Sequence, residues 1–592
     1  MRFLVLVLAL CLTSAQGHVV QVRDRQKIVG VTETDDWWKT GVFYQIYPRS
    51  FMDGDGDGVG DLKGVKAKLK YLKDIGITGA WLSPIFKSPG VDQGYDISDY
   101  YTVDAVFGGN AALKKVLWEA KMLGLKIILD FVPNHTSDQN EWFKKSVNGT
   151  DGYEDYYVWN EGKVDSNGTR VPPNNWVSIF KGSSWTWNEQ RKKFYLHQFA
   201  TQQPDLNYSN PKVMEAMKVR HHFYRETITL AKVLTYWLDQ GVDGFRVDAV
   251  PYIMEDKELR DEPLTPGHKY DQNDVDCVER IYTKDIDETF DVVYAIRTHV
   301  DEYAKNKKIT TRVLMSEAYA DPDKTMRYYG TSDGKKLGAH FTFNFNLLTM
   351  IQNKDFKVAD IAKAINLWMG KMPKIYTPNW VLGNHDNHRI ASRLGSENVD
   401  PFNALTAFLP GVMVTYNGEE IGMTDGHVTC EEGQDPVAKK DCSTYNATSR
   451  DFERTPMQWD DSKNAGFTVN EKPWLPVADN YKELNVKKEK ASPTSHLSIY
   501  KSLIQFRKKY VNRPSKKDKL IVGGQSKVLK LYRERDEGSY TLLFNVADVR
   551  QKVDLVKQKL LLTTKPSAQR QIGSILEDIT LEPHETVILK TA

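Results

Sequence analysis

Eight short runs of apolar and β-branched residues punctuate the chain, and none alternates with polar positions as a half-exposed strand would. They are Val42–Tyr47, Gly79–Ser83, Lys126–Asp130, Gly244–Asp248, Arg312–Glu317, His340–Phe345, Asn379–Gly383 and Val412–Tyr416. Between them lie stretches with helical spacing, such as Leu62–Ile75, Ala111–Leu123 and Lys212–Leu238, and His496–Tyr510 follows the eighth run. Near-continuous apolar strands alternating with helices predict a parallel sheet buried on both faces. Eight such units predict a (β/α)8 barrel, a TIM-type α/β fold whose active site lies at the C-terminal ends of the strands.

Two stretches break the alternation. Residues 136–210 are rich in Trp, Tyr, Asn and Gly and are too long for one loop. They read as a domain inserted after the third strand. From 513 to 592 the chain shows short alternating bursts such as Leu529–Arg533 and Tyr540–Phe544, separated by turn residues. These predict a C-terminal antiparallel β domain. The barrel then comprises 18–135 and 211–512. Residues 1–17 have a charged start, an apolar run from Phe3 to Leu12 and small residues at Ala15 and Gly17, the pattern of a secretory signal. No later stretch approaches the length of a membrane span, and no hydrophobic lipid-anchor tail is seen. The expectation is a secreted, soluble protein.

Composition narrows the partners. The 592 residues are 40% hydrophobic and 27% charged, with Lys+Arg 80 against Asp+Glu 78. That is an ordinary globular chain with no electrostatic case for nucleic acid or an anionic membrane. The 14 Trp and 29 Tyr suit sugar-binding surfaces. Cys11 lies in the signal. Cys430 and Cys442 flank a short loop and are expected to pair in an oxidising compartment, leaving Cys277 as a free thiol. Sequons at Asn148, Asn167 and Asn446 are expected to carry glycans. Asn207 stays open, and Asn134 is expected bare because it ends a strand. Oligomeric state is not legible.

Four strand ends carry polar groups: Asp130 with Asn134 and His135, Arg246 with Asp248, Glu317, and His385 with Asp386. One strand-end Asp usually caps a helix or pairs with an Arg. Four such ends on one rim point to catalysis. Converging carboxylates suit glycoside hydrolysis, in which one attacks the anomeric carbon and another protonates the leaving oxygen. Arg246, two residues before Asp248, points to the same face and is expected to depress its pKa.

These motifs, in this order, resemble the conserved regions of the α-amylase superfamily (glycoside hydrolase family 13) over roughly Trp37 to Trp459. Gln203–Asn207 and Arg454–Asp460 resemble segments of its oligo-1,6-glucosidase branch, which includes secreted insect-type maltases. The resemblance implies Asp248 as nucleophile, Glu317 as acid/base and Asp386 as transition-state stabiliser. It implies Arg246, His135 and His385 as contacts to the reacting glucose. Asp92, Tyr95 and Arg454 are implied at the closed end of the pocket, with Phe180 lining it from the inserted domain. The implied activity is that of a retaining exo-α-glucosidase acting on maltose, short α-1,4 oligosaccharides and sucrose. A sucrose-preferring hydrolase or isomerase, and a non-catalytic binding or receptor protein related to transporter heavy chains, remain open on the same scaffold. Ala249, next to the nucleophile, is implied to favour α-1,4 over α-1,6 bonds.

After the first strand comes Asp53-Gly-Asp55-Gly-Asp57-Gly-Val59-Gly-Asp61. Alternating carboxylates with flexible glycines wrap a hard cation. The loop lacks the glutamate an EF-hand carries at its twelfth position. The resemblance implies a structural Ca²⁺ held by Asp53, Asp55, Asp57, Asp61 and the carbonyl of Val59.

Overall fold

All eight runs are strands of one parallel sheet, in a computed structural model that describes residues 36–217, 233–513, 515–567 and 570–591. We label them β1 (Val42–Ile46), β2 (Gly79–Leu82), β3 (Lys126–Phe131), β4 (Gly244–Val247), β5 (Val313–Ser316), β6 (Phe341–Thr342), β7 (Asn379–Val381) and β8 (Val412–Tyr416). The order is β6-β5-β4-β3-β2-β1-β8-β7. Every residue of β1, β2, β4, β5 and β8 is buried, which is why their sequences run apolar without alternation. No backbone ladder joins β6 to β7. Instead Asn379 donates to the carbonyl of Thr342 at 2.6 Å and accepts from the amide of Asn344 at 2.9 Å, so one side chain bridges the seam of a nearly closed barrel.

Helices return the chain between strands: α1 (Leu62–Ile75), α2 (Gly109–Leu123), α3 (Asp287–Lys307), α4 (Val358–Lys371), α5 (Val399–Phe408) and α6 (His496–Phe506). Sequence chemistry sets the ends of α1. The Asp61 side chain accepts from the amide of Gly64 at 2.6 Å, and Gly76 closes the helix in the left-handed region at φ 95°. Its buried face is Leu62, Val65, Leu69, Leu72 and Ile75, the spacing of one helical stripe. Of the expected helix over Lys212–Leu238, the described parts are Pro211–Met217 and Val233–Asp239. The signal expected at 1–17 lies outside the described residues.

Residues 136–210 carry their own three-stranded antiparallel sheet, Trp159–Asn160, Lys193–Leu196 and Trp185–Asn188. This segment packs on a long loop after β4 that the sequence pattern did not single out. Asn174 donates to the carbonyl of Leu259 and Trp176 to that of Arg260, at 3.1 and 2.8 Å. The C-terminal segment forms a six-stranded antiparallel sheet, and Arg533 from it donates to the carbonyl of Phe408 on α5 at 2.9 Å. Cys430 and Cys442 form a disulfide with Cα atoms 5.6 Å apart, and Cys277 is free and buried. Asn148, Asn167 and Asn446 are exposed, whereas Asn134 is 1% exposed and has no room for a glycan. Among the described residues, no helix is long and apolar enough to cross a membrane.

Candidate active site

Arg246 on β4 is the centre of the polar cluster. It is buried, and one face of its guanidinium lies 4.8 Å from the centre of the Trp81 ring. Three carboxylates share it. Asp130 at the end of β3 lies 3.1 Å from Nη1, Asp248 directly contacts the same nitrogen, and Glu317 lies 3.3 Å from Nη2. Asp248 and Glu317 are thus held against the two terminal nitrogens of one guanidinium. The chain turns sharply after Asp248, because Ala249 takes the left-handed region at φ 46°. That turn aims the Ala249 amide at Glu317, donating to Oε2 at 2.9 Å. A backbone link therefore joins the ends of β4 and β5.

One positive charge faces three buried carboxylates. The expectation that Arg246 would leave Asp248 with a depressed pKa is not met. Burial, the largest influence, pushes the Asp248 carboxyl well up, Arg246 pulls it back, and Glu317 and Asp130 push it further. Burial likewise raises Asp130 to about 6 against the pull of Arg246. Burial thus works against the charge on Asp248 and Asp130, and the single cation of Arg246 works for it.

Asp386 has the opposite setting. Arg454 Nη2 binds its Oδ1 at 2.8 Å and Arg450 Nη1 at 3.3 Å. Burial opposes its charge, but the guanidinium groups of Arg454, Arg450 and Arg246 hold the carboxyl below its usual range. Arg454 also donates to the carbonyl of His385 at 2.7 Å. The His385 ring is pinned on both nitrogens, by Gln45 Nε2 on Nδ1 at 2.8 Å and by Tyr95 OH on Nε2 at 2.7 Å. Burial lowers its pKa to about 3, so the ring is neutral. With Gln45 donating to Nδ1, the proton sits on Nε2, 3.4 Å from Asp386 Oδ2.

The closed end is built from several segments. Asp92 accepts from Gln203 Nε2 at 3.1 Å and lies 3.5 Å from Arg450. Burial lifts it to about 6, against Arg450. Gln203 also reaches His135 Nε2 at 3.0 Å, and burial keeps His135 neutral with a pKa lowered to about 3. Phe180 joins through Phe199, whose ring it meets edge-on at 5.7 Å, and through Arg450. The structure thus brings together Asp92, Tyr95, His135, Phe180, Arg246, Asp248, Glu317, His385, Asp386 and Arg454.

A sequence-profile match to the alpha-amylase catalytic domain spans residues 45–513. The chain belongs to the α-amylase family. Maltase A1 of Drosophila melanogaster is 45% identical over 568 residues, covering 93% of this chain and 95% of the relative. The salivary alpha-glucosidase of Aedes aegypti is 47% identical over 521 residues, covering 87% of this chain and 86% of the relative. The crystal structure of an alpha-glucosyl transfer enzyme, XgtA, superposes with a TM-score of 0.80 at 31% identity, covering 94% of this chain and 99% of that one.

Sequence reading missed four residues of this α-amylase-family site. Arg450 ties Asp92, Asp386 and Asp435 together, the last at 2.8 Å. Gln45 and Gln203 set the rings of His385 and His135. Tyr319 takes amide donors from Asn384 and Asn387 at 2.8 and 3.0 Å. Gln203 sat inside a quoted motif, and that position was the available signal. Arg450 lies in a polar loop with no periodicity to mark it.

In the acidic loop, donor oxygens of Asp53, Asp55 and Asp61 lie within 4.8 Å of one another. Asp57 stands outside that trio, and its Oδ1 accepts from the Val59 amide at 2.8 Å. A side chain at Gly54 would meet the Gly64 amide at 2.4 Å, so the loop closes only with glycine there. An all-oxygen set of three close carboxylates fits a hard dication.

Proposed function

We propose that this chain is a secreted, retaining, exo-acting α-glucosidase that releases terminal glucose from maltose and short α-1,4 maltooligosaccharides, with sucrose as a further substrate. The observation that carries this reading is the pair Asp248 and Glu317 held on the two ends of one guanidinium. Maltase and α-glucosidase relatives support the same class.

In the first step Asp248 attacks C1 of the terminal glucose while Glu317 protonates the glycosidic oxygen. The C1–O bond breaks, the shortened sugar leaves, and glucose is esterified to Asp248. In the second step ionised Glu317 takes a proton from water, whose oxygen attacks C1 and frees Asp248. Asp386, held ionised by Arg454 and Arg450, binds sugar hydroxyls as positive charge develops at C1. Asp92, Gln203 and Arg450 close the pocket beyond the first ring, which restricts cleavage to one terminal glucose. Exposed Asn148, Asn167 and Asn446 are glycosylated on secretion.

Asp53, Asp55 and Asp61 would hold a structural Ca²⁺ in the acidic loop, with Asp57 and the Val59 carbonyl as the further ligands that the family resemblance implies. The ion neutralises carboxylates that otherwise repel one another. Removing it with a chelator is expected to lower Tm by several degrees while activity at moderate temperature changes little. Identical melting curves with and without chelator contradict the assignment.

Glucose release from maltose, sucrose, isomaltose and starch tests the substrate reading, with maltose fast and isomaltose and starch slow. Ala249 carries the linkage preference, since a larger side chain crowds the space for the leaving sugar. Ala249→Val is expected to shift the maltose-to-isomaltose ratio of kcat/KM toward isomaltose by about tenfold. The β-branched side chain of valine adds strain at this left-handed position, so the ratio, not the absolute rate, is the readout. An unchanged ratio rules out this role.

A further inference from the structure

A second constellation lies beside the site and is not used by the proposed reaction. His388 follows β7, Asp425 follows β8, and Glu453 immediately precedes Arg454. Their donor atoms all lie within 4.8 Å of one another. His388 Nδ1 is 2.9 Å from Asp425 Oδ2 and 3.7 Å from Glu453 Oε2. In a tetrahedral site with bonds of about 2.0–2.1 Å, donor atoms stand about 3.3–3.4 Å apart. The two observed spacings straddle that value.

An ordinary His–Asp ion pair accounts for the first contact but not for Glu453. That residue is 1% exposed, and its Oε2 makes no hydrogen bond. At 3.7 Å His388 is too far to donate one. A buried carboxylate oxygen without a donor is costly, and this one faces the space between two metal-ligating groups. Asp425 is positioned for the same purpose. Its Oδ1 is committed to the Arg389 amide at 2.8 Å, which fixes the carboxylate and presents Oδ2 inward. The His388 side chain is 47% exposed, so an ion has an entry path and a solvent-facing fourth position.

We propose that His388, Asp425 and Glu453 form a binding site for a transition-metal dication of the Zn²⁺ class. One imidazole nitrogen with two carboxylate oxygens suits such an ion better than Ca²⁺, which takes six to eight oxygens. Binding releases the Nδ1 proton to solvent, and the ring keeps its other proton on Nε2. The ion joins the segment that carries Asp386, two residues before His388, to the segment that carries Arg454.

The test uses the purified full chain, stripped with a chelator, dialysed, and supplied with saturating Ca²⁺ to fill the acidic loop. Calorimetric titration with Zn²⁺ is expected to show one ion per chain. Binding is expected to be at least tenfold weaker in His388→Ala and in Asp425→Asn. His388 is exposed, so its variant keeps the test valid if Glu453→Gln fails to fold. Absence of stoichiometric Zn²⁺ binding, or equal binding by His388→Ala, overturns the proposal.

Discussion

Replacing Asp248 by Asn is expected to lower kcat on maltose about 10⁴-fold or more while leaving the protein folded. The amide is nearly isosteric but cannot attack C1, so the covalent step is lost. Stability should not follow activity. Asp248 is one of three carboxylates on a single guanidinium, and burial already disfavours its charge. Removing one negative charge from that group relieves repulsion, so Tm is expected to stay level or rise. Steady-state glucose release and thermal unfolding of the same sample check both halves. Activity above about a hundredth of the native rate contradicts the role of Asp248.

The second large effect is expected from Arg246→Met. Methionine fills part of the space beside Trp81 but leaves Asp130, Asp248 and Glu317 together without their cation. Removing one partner from a buried ion pair costs about 3–5 kcal/mol, and activity should fall below detection. The cost arises from the unpaired carboxylates, so it is expected to be non-additive. Adding Asp248→Asn to Arg246→Met should recover part of the lost stability. Denaturant midpoints of the two single variants and the double variant decide this. An unshifted midpoint for Arg246→Met, or strictly additive losses, contradicts the shared-cation account.

The barrel was legible because each strand is buried on both faces and so writes an unbroken apolar run between helical patterns. Residues at strand ends, such as Asp248 and Glu317, could be placed on one rim from that pattern alone. Charge state was not legible in the same way. Arg246 beside Asp248 in sequence implied a depressed carboxyl, but the sequence shows neither how completely that carboxyl is buried nor that Asp130 and Glu317 converge on the same guanidinium. Long-range partners were also hidden. Gln45 comes from β1, and Arg450 from a polar loop that follows the Cys430–Cys442 disulfide, yet both set the groups around Asp386. The loop after β4 that supports the inserted segment has no periodicity, so nothing in its pattern announced that packing.

The central claim is a two-step reaction through a glucosyl ester on Asp248, and the anomeric form of the first product tests it most directly. Proton NMR of maltose hydrolysis, recorded within the first minutes before mutarotation, is expected to show glucose released from the non-reducing end as the α-anomer. Initial β-anomer in excess of the share that the reducing-end glucose of maltose already carries would mean that water attacks C1 directly, and would contradict the assignment of Asp248 as nucleophile.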